Sequence, residues 1–219
     1  MATRYDWLNH VFSLGLDFLW RRRAAAAVAP AVAGPLLDGA TGSADLALEL
    51  ARRYPDRQVA GVDFSTGMLR MAQRKIERRA DGRRIELIKG DLTHLNFESQ
   101  SFAGATVAFG IRNVPDRPAA LAELRRVLRP GGRLVILEFA MPTLPVFAGL
   151  YRWYFGKAMP AVSKWAGAGD AYSYLFESVS QFPLPAEFCR QLKAAGLGAV
   201  EFQSMTWGTA TLYQGVVER

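Results

Sequence analysis

An α/β fold built on a mostly parallel sheet and closed by an antiparallel hairpin is what this sequence predicts, and three observations carry the prediction. Short apolar runs alternate with amphipathic stretches of helical period from Leu36 to Phe139, the order that a parallel sheet with crossover helices requires. The first run, Leu36-Leu37-Asp38-Gly39, breaks into the small-residue turn Ala40-Thr41-Gly42-Ser43-Ala44, and Asp45 opens a helix. The second run ends on Asp63, where nucleoside-binding folds place a carboxylate for both ribose hydroxyls.

Taken in order, Tyr5 to Trp20 reads as an amphipathic helix through Leu8, Val11, Phe12, Leu16 and Leu19, with Arg21 to Ala33 as a second helix. Strand one is Leu36 to Gly39. A helix from Asp45 to Tyr54, a strand from Gln58 to Asp63 and a helix from Thr66 to Ala80 follow, the last capped by Ser65. Strand three, Ile85 to Lys89, ends at Gly90-Asp91-Leu92. Strand four, Ala105 to Phe109, leads to a helix from Pro118 to Leu128, and Pro130-Gly131-Gly132 turns sharply into strand five, Leu134 to Phe139. A mostly helical, aromatic segment spans Leu144 to Ser180. A helix from Pro185 to Ala195, ended by Gly196, and two final strands bring the sheet to seven. The organisation expected is a single domain over 1–219, with 1–34 as a helical lid and 143–182 as an aromatic insertion facing the substrate.

Composition narrows the function. A chain of 219 residues with 50% apolar side chains buries one sizeable core. Its 27 basic and 20 acidic residues give a net charge of +7, which suits an anionic surface. The basic groups are scattered, however, and lack the interleaved aromatics of a single-strand binder, so nucleic acid is not expected as a partner. The lone cysteine, Cys189, excludes disulfides within the chain and any multi-cysteine metal site, and fits a reducing cytoplasm. Asp6, Asn9, His10 and Asp17 interrupt the N-terminal helix, and its arginines follow it, unlike a signal peptide. The apolar stretch Leu144 to Ala168 is broken by Arg152, Lys157, Lys164 and two prolines, too polar to span a bilayer. The expectation is a cytoplasmic protein, soluble or peripheral on the inner face of a membrane, and a homodimer is compatible with it.

The turn after strand one also bears on the ligand. A pyrophosphate needs free N–H groups and positive potential at a helix N-terminus, and Asp38 and Asp45 flanking the turn would repel it. Neither G-x-G-x-x-G spacing nor a Gly-Lys-Ser/Thr step is present. S-adenosylmethionine, with its sulfonium, its ammonium and one carboxylate, fits such a turn.

At Arg4-Tyr5-Asp6 with Asn9, at the Asp38 to Asp45 loop, at Phe109-Gly110-Ile111-Arg112-Asn113-Val114, and at Asp170-Ala171-Tyr172 with Tyr174-Leu175 and Glu177-Ser178, the chain resembles the class I, S-adenosylmethionine-dependent C-methyltransferases of menaquinone and ubiquinone biosynthesis. The likeness runs along nearly the whole chain, and the Phe-Gly-x-Arg-Asn-Val piece is its most specific part. It implies a Rossmann-like sheet with helices on both faces. Gly42 and Ser43 would hold the methionine end of the cofactor, with Asp38, Gly39 and Thr41 completing the loop. Asp63 would hold the ribose, Asp91 and Leu92 the adenine, and Phe64, Met68, Ala108 and Phe109 would line the site. Tyr5, Arg112 and Asn113 are the expected catalytic residues, Asn9, His10 and Tyr172 the expected substrate contacts, and no metal is implied. Two positions depart from the family pattern. The loop's last glycine is Ala44 and a serine of some relatives is Ala108; Ala44 suits the site if its φ is negative and weakens it if left-handed.

The chemistry expected is in-line methyl transfer to a ring carbon, which asks the protein for alignment and charge stabilisation. A hydroquinol is the natural acceptor, because ionising its hydroxyl pushes charge onto the adjacent carbon. A neighbouring cation lowers a phenol's pKa by about 1–3 units. Arg112 is the candidate cation, as a stabiliser of the phenolate and not a base, with an ion pair to Asp116 or Asp6 as the structural alternative. The resemblance favours demethylmenaquinol as acceptor and the aromatic segment as the wall for its prenyl tail. Another small aromatic acceptor, or cofactor binding without turnover, are the competing readings.

Overall fold

The computed structural model describes residues 13, 15–141 and 169–218, the side chains of 169–173 excepted. Helix α1 (Asp17–Val28) leads into β1 (Leu36–Gly39), α2 (Asp45–Arg53), β2 (Val59–Asp63), α3 (Thr66–Ile76), β3 (Ile85–Lys89), β4 (Phe102–Ala108), α4 (Arg117–Val127) and β5 (Leu128–Phe139). Helices α5 (Gly169–Ser180) and α6 (Pro185–Ala194) precede strands β6 (Leu197–Met205) and β7 (Ala210–Val217). The strands form one sheet in the order β3-β2-β1-β4-β5-β7-β6. All pairs from β3 to β5 are parallel, and β7 is antiparallel to both β5 and β6.

Alternation along the strands splits the core into two layers. Leu36, Val135, Leu137 and Phe139 face one side with Trp20, Ala24 and Val28 of α1, Leu46 and Leu50 of α2, and Leu175 of α5. Leu37, Leu134 and Ile136 face the other with Leu121 and Leu124 of α4 and Phe188 and Leu192 of α6. The chain leaves β1 outward to β2 and β3, then returns to β4 and β5 on its other side. That reversal opens a crevice at the carboxyl ends of β1 and β4, where ligands of such sheets bind.

Strands one and three have the expected bounds, and Ser65 caps α3, its Oγ accepting from the Met68 N–H at 3.3 Å. Three expectations are corrected. The two N-terminal helices are, over the described residues, one helix that crosses their supposed boundary and stops where Ala29 turns left-handed (φ 32°) before Pro30. Its Trp20 is 2% exposed and donates from Nε1 to Thr206 Oγ1 at 2.9 Å, so α1 packs as a layer of the core, while residues 1–12 of the expected lid lie outside the described residues. The sharp turn at Pro130-Gly131-Gly132 is a bulge within β5. Pairing with β4 runs from Phe102↔Leu128 to Gly104↔Arg133, so the extra residues loop out while the strand continues. The helix after Ser65 ends at Ile76, and Ala80–Arg84 forms a separate 3₁₀ turn.

Candidate cofactor and acceptor site

The loop after β1 is held by its own backbone and by its neighbours. Thr41 N–H donates to the Val62 carbonyl at 2.9 Å, and Ala44 N–H to the Thr41 carbonyl at 2.9 Å. Asp38, at the end of β1 and fully buried, accepts from Thr41 Oγ1 at 2.6 Å and Thr106 Oγ1 at 2.7 Å. Burial outweighs these bonds and the nearby Arg21 charge, raising the Asp38 carboxyl to about 6. Lys75 of α3 reaches across to Ser43 Oγ at 2.9 Å and Asp45 Oδ1 at 2.7 Å, tying the loop to α3.

Around this loop lies a cavity of about 520 Å³, a size suited to a small cofactor. Asp63 enters it from the tip of β2, its Oδ2 accepting from Gly42 N–H and its Oδ1 from Ser65 N–H, each at 2.8 Å. Burial holds the Asp63 carboxyl above its ordinary range despite these bonds. Gly42 has φ +56°, and a Cβ there would stand 3.2 Å from Met68 Cε, so glycine lets backbone and methionine share this wall. Asp91 is exposed after β3. Its Oδ1 accepts from both Thr93 N and Thr93 Oγ1 at 2.8 Å, bonds that hold its carboxyl below the usual range.

Beyond β4 the wall changes character. Phe109 is buried with φ +58°, a costly conformation for a bulky residue, and its ring stacks 4.3 Å from that of Phe139. Arg112, in the 3₁₀ turn Ile111–Asn113, donates from Nη1 to the Phe109 carbonyl at 2.7 Å and ion-pairs with Glu138, both charged side chains being fully buried. Glu138 also accepts from Arg112 N–H at 3.3 Å. Arg112, the expected phenolate-facing cation, is not among the described residues lining the cavity, and Glu138 opposes its charge. Arg112 does stand in a buried ion pair, but with Glu138; of the two partners expected from the sequence, Asp116 and Asp6, the latter lies outside the described residues. Asn113 does line the cavity, and its Oδ1 accepts from Tyr174 Oη at 3.2 Å.

Of the expected cofactor residues, Asp38, Thr41, Gly42, Ser43, Asp63, Phe64, Met68, Asp91, Leu92, Ala108 and Phe109 line this one cavity. Gly39 does not; a Cβ on it would meet Leu92 Cδ2 at 2.8 Å, so it lets the floor close beneath the site. Tyr5, Asn9 and His10 lie outside the described residues, as does the side chain of Tyr172 and most of the aromatic segment. Ala44 meets the unfavourable condition: it is left-handed, φ 68°, at the N-terminus of α2. Sequence reasoning missed Arg21, which lines the cavity from α1. The signal available was its i,i+4 spacing from Asp17, a pair that the fold buries.

These residues fit S-adenosylmethionine: a carboxylate for a ribose, an acid and the buried Leu92 for an adenine edge, and a small-residue loop beside two acids for the methionyl end. Among the described residues no group of acids, histidines and cysteine is arranged to hold a metal ion.

Comparison with known proteins shows what the whole chain resembles. The model of the ubiE/COQ5 methyltransferase family matches residues 1–217. A ubiquinone/menaquinone biosynthesis C-methyltransferase, UbiE, of Syntrophotalea carbinolica is 44% identical over 98% of this chain and 90% of its own length. A demethylmenaquinone methyltransferase of Thermus thermophilus is 42% identical over 98% of this chain and 97% of its own. Among solved structures, a SAM-dependent methyltransferase of Thermotoga maritima superposes with a TM-score of 0.68 at 16% identity, covering 97% of this chain and 95% of that one; this likeness supports the fold.

Proposed function

The chain belongs to the ubiE/COQ5 methyltransferase family, and from that premise we propose that it transfers a methyl group from S-adenosylmethionine to a ring carbon of a prenylated hydroquinone, demethylmenaquinol first among them. One observation carries the reading: a single cavity joins the loop after β1, with Asp63 and Asp91, to the Phe109–Asn113 turn. Cofactor and acceptor thereby meet in one space. Relatives at more than 40% identity over nearly the whole chain are named for this reaction.

The bound cofactor supplies an electrophilic methyl on sulfonium, and the residues supply its setting. Asp63 would take the ribose hydroxyls, Asp91 and Leu92 the adenine, and Asp38 and Asp45 the ammonium. At the acceptor end, Asn113 and Tyr174 present a hydrogen-bonded polar pair beside the apolar Val114 and Pro115, suited to receive a ring oxygen and orient the ring. Arg112 acts through the turn: with Glu138 it holds Phe109 in its strained conformation and fixes where Asn113 stands. Phe109 and Phe139 exclude water from that corner.

The acceptor's tail is a bilayer solute, and the protein's reach toward a membrane surface belongs to the same proposal. Helix α1 exposes Phe18 (54%) and Leu19 (47%) next to the exposed Arg22 and Arg23, apolar and cationic groups of the kind that settle at an anionic interface. Among the described residues no helix is long and apolar enough to cross a membrane.

Calorimetric titration with S-adenosylhomocysteine, followed by mass detection of methyl transfer to a reduced short-chain demethylnaphthoquinol, tests the reading. Binding and a product heavier by one methylene are expected. Binding without transfer to this acceptor or to a demethylbenzoquinol would reject the acceptor class and leave the cofactor site standing.

A further inference from the structure

We propose that Arg21 recognises the α-carboxylate at the methionyl end of the cofactor, held in place for that task by Asp17; the assignment rests on the cofactor reading above. Arg21 is the one cationic side chain among the described residues that line the cavity, where the other charged groups, Asp38, Asp45, Asp63 and Asp91, are all acids. Among the described lining residues, a ligand that brings a carboxylate into this space has one site of opposite charge to meet. The position is right as well. Asp63 and Asp91 mark the ribose and adenine, whereas Arg21 borders Asp45 in a second, smaller recess, stabilises the charge of Asp38 and lies with its Cζ 5.2 Å from the centre of the Phe109 ring. Arg21 therefore stands at the zwitterionic end, where two acids answer an ammonium and a carboxylate would otherwise be repelled.

The guanidinium is prepared for an anion. Arg21 is 7% exposed, so a contact made there is little weakened by water. Asp17, fully buried, accepts from Arg21 Nη1 and, at 2.7 Å, from Ser13 Oγ. One carboxylate does not exhaust five N–H donors in a rigid fork, and Asp17 fixes the direction in which the fork points. Its neighbours Arg22 and Arg23 are exposed and share none of this arrangement.

The experiment compares two ligands on the same preparations: S-adenosylhomocysteine and its decarboxylated analogue, which keeps the adenosine, the sulfur and the ammonium. By calorimetry, Arg21→Gln should weaken S-adenosylhomocysteine about ten- to hundredfold and leave the analogue within about twofold, with Arg21→Lys between them. Should Arg21→Gln fail to fold because Asp17 loses its partner, Asp17→Asn/Arg21→Gln removes both charges together and is held to the same comparison. Equal weakening of both ligands, or none of either, would overturn the assignment. A wild-type protein that binds both ligands alike would overturn it too while the cofactor site stands, and one that binds neither would reject the site and the assignment together.

Discussion

At the scale of single residues, Ala44 in the loop after β1 and Asp38 within β1 itself bear on the proposed cofactor binding. Ala44 carries a methyl group in a left-handed conformation, φ 68°, while fully buried, which costs on the order of 1 kcal/mol relative to glycine. Ala44→Gly should raise the melting temperature by about 2–4 °C and bind S-adenosylhomocysteine at least as tightly; a lower melting temperature would show that the methyl's packing outweighs the strain. Asp38 works in the opposite sense from a surface carboxylate. Its pKa is raised from 3.8 to about 6, so the folded state prefers the protonated form. The stability this contributes is present below about pH 4 and lost as pH rises through about 6, a change of about 3 kcal/mol for a shift of this size. Asp38→Asn should therefore gain stability over wild type at pH 8 and not at pH 4, as read by urea midpoints. If the same carboxylate, charged, meets the cofactor's ammonium as proposed, wild-type affinity should fall as pH drops below 6 and the variant's should not. These residue-level features were only half legible in the sequence. Asp38 and Asp63 were readable because strand ends dictate what stands there, whereas the sign of Ala44's φ and the burial of the Asp17 and Arg21 pair are settled only by packing.

Elements decide what Arg112 does. The Phe-Gly-Ile-Arg-Asn-Val turn was recognisable from its residues, yet its arginine is buried in an ion pair because β5 brings Glu138 alongside. Register across two strands far apart in sequence is invisible to local spacing. Breaking a buried ion pair by removing one partner costs about 3–5 kcal/mol, so Arg112→Ala and Glu138→Gln should each unfold at markedly lower urea. Replacing both, in Arg112→Met/Glu138→Leu, should restore most of the stability while turnover stays low, because the Phe109 carbonyl and the turn lose their clamp. Arg112→Ala that melts like wild type but has no turnover would return the guanidinium to the substrate. The same reasoning explains the boundaries. Strands β1 and β3, bounded by turn residues, matched expectation residue by residue, but β5 runs through Pro130-Gly131-Gly132 because pairing with β4 resumes beyond the bulge.

Over the whole molecule, the sheet gathers the carboxyl ends of β1 to β4 around one crevice, and α1 links that crevice to the outer surface: Arg21 lines the cavity while Phe18, Leu19, Arg22 and Arg23 of the same helix are exposed. On the proposed reading, a net charge of +7 favours anionic lipid, and each arginine near such a surface contributes about 1 kcal/mol. The helix would then settle with its apolar pair in the headgroup region, next to the bilayer that holds a prenylated acceptor. Sedimentation with vesicles should show more binding to anionic than to neutral lipid, less in high salt, and a further loss in Phe18→Ser/Leu19→Ser. That variant should turn over a short-chain acceptor as wild type does and be slower only on a long-chain acceptor presented in vesicles. Indifference to vesicle charge, or equal loss on both acceptors, would remove α1 from any role in reaching the membrane and leave tail recognition to the cavity alone.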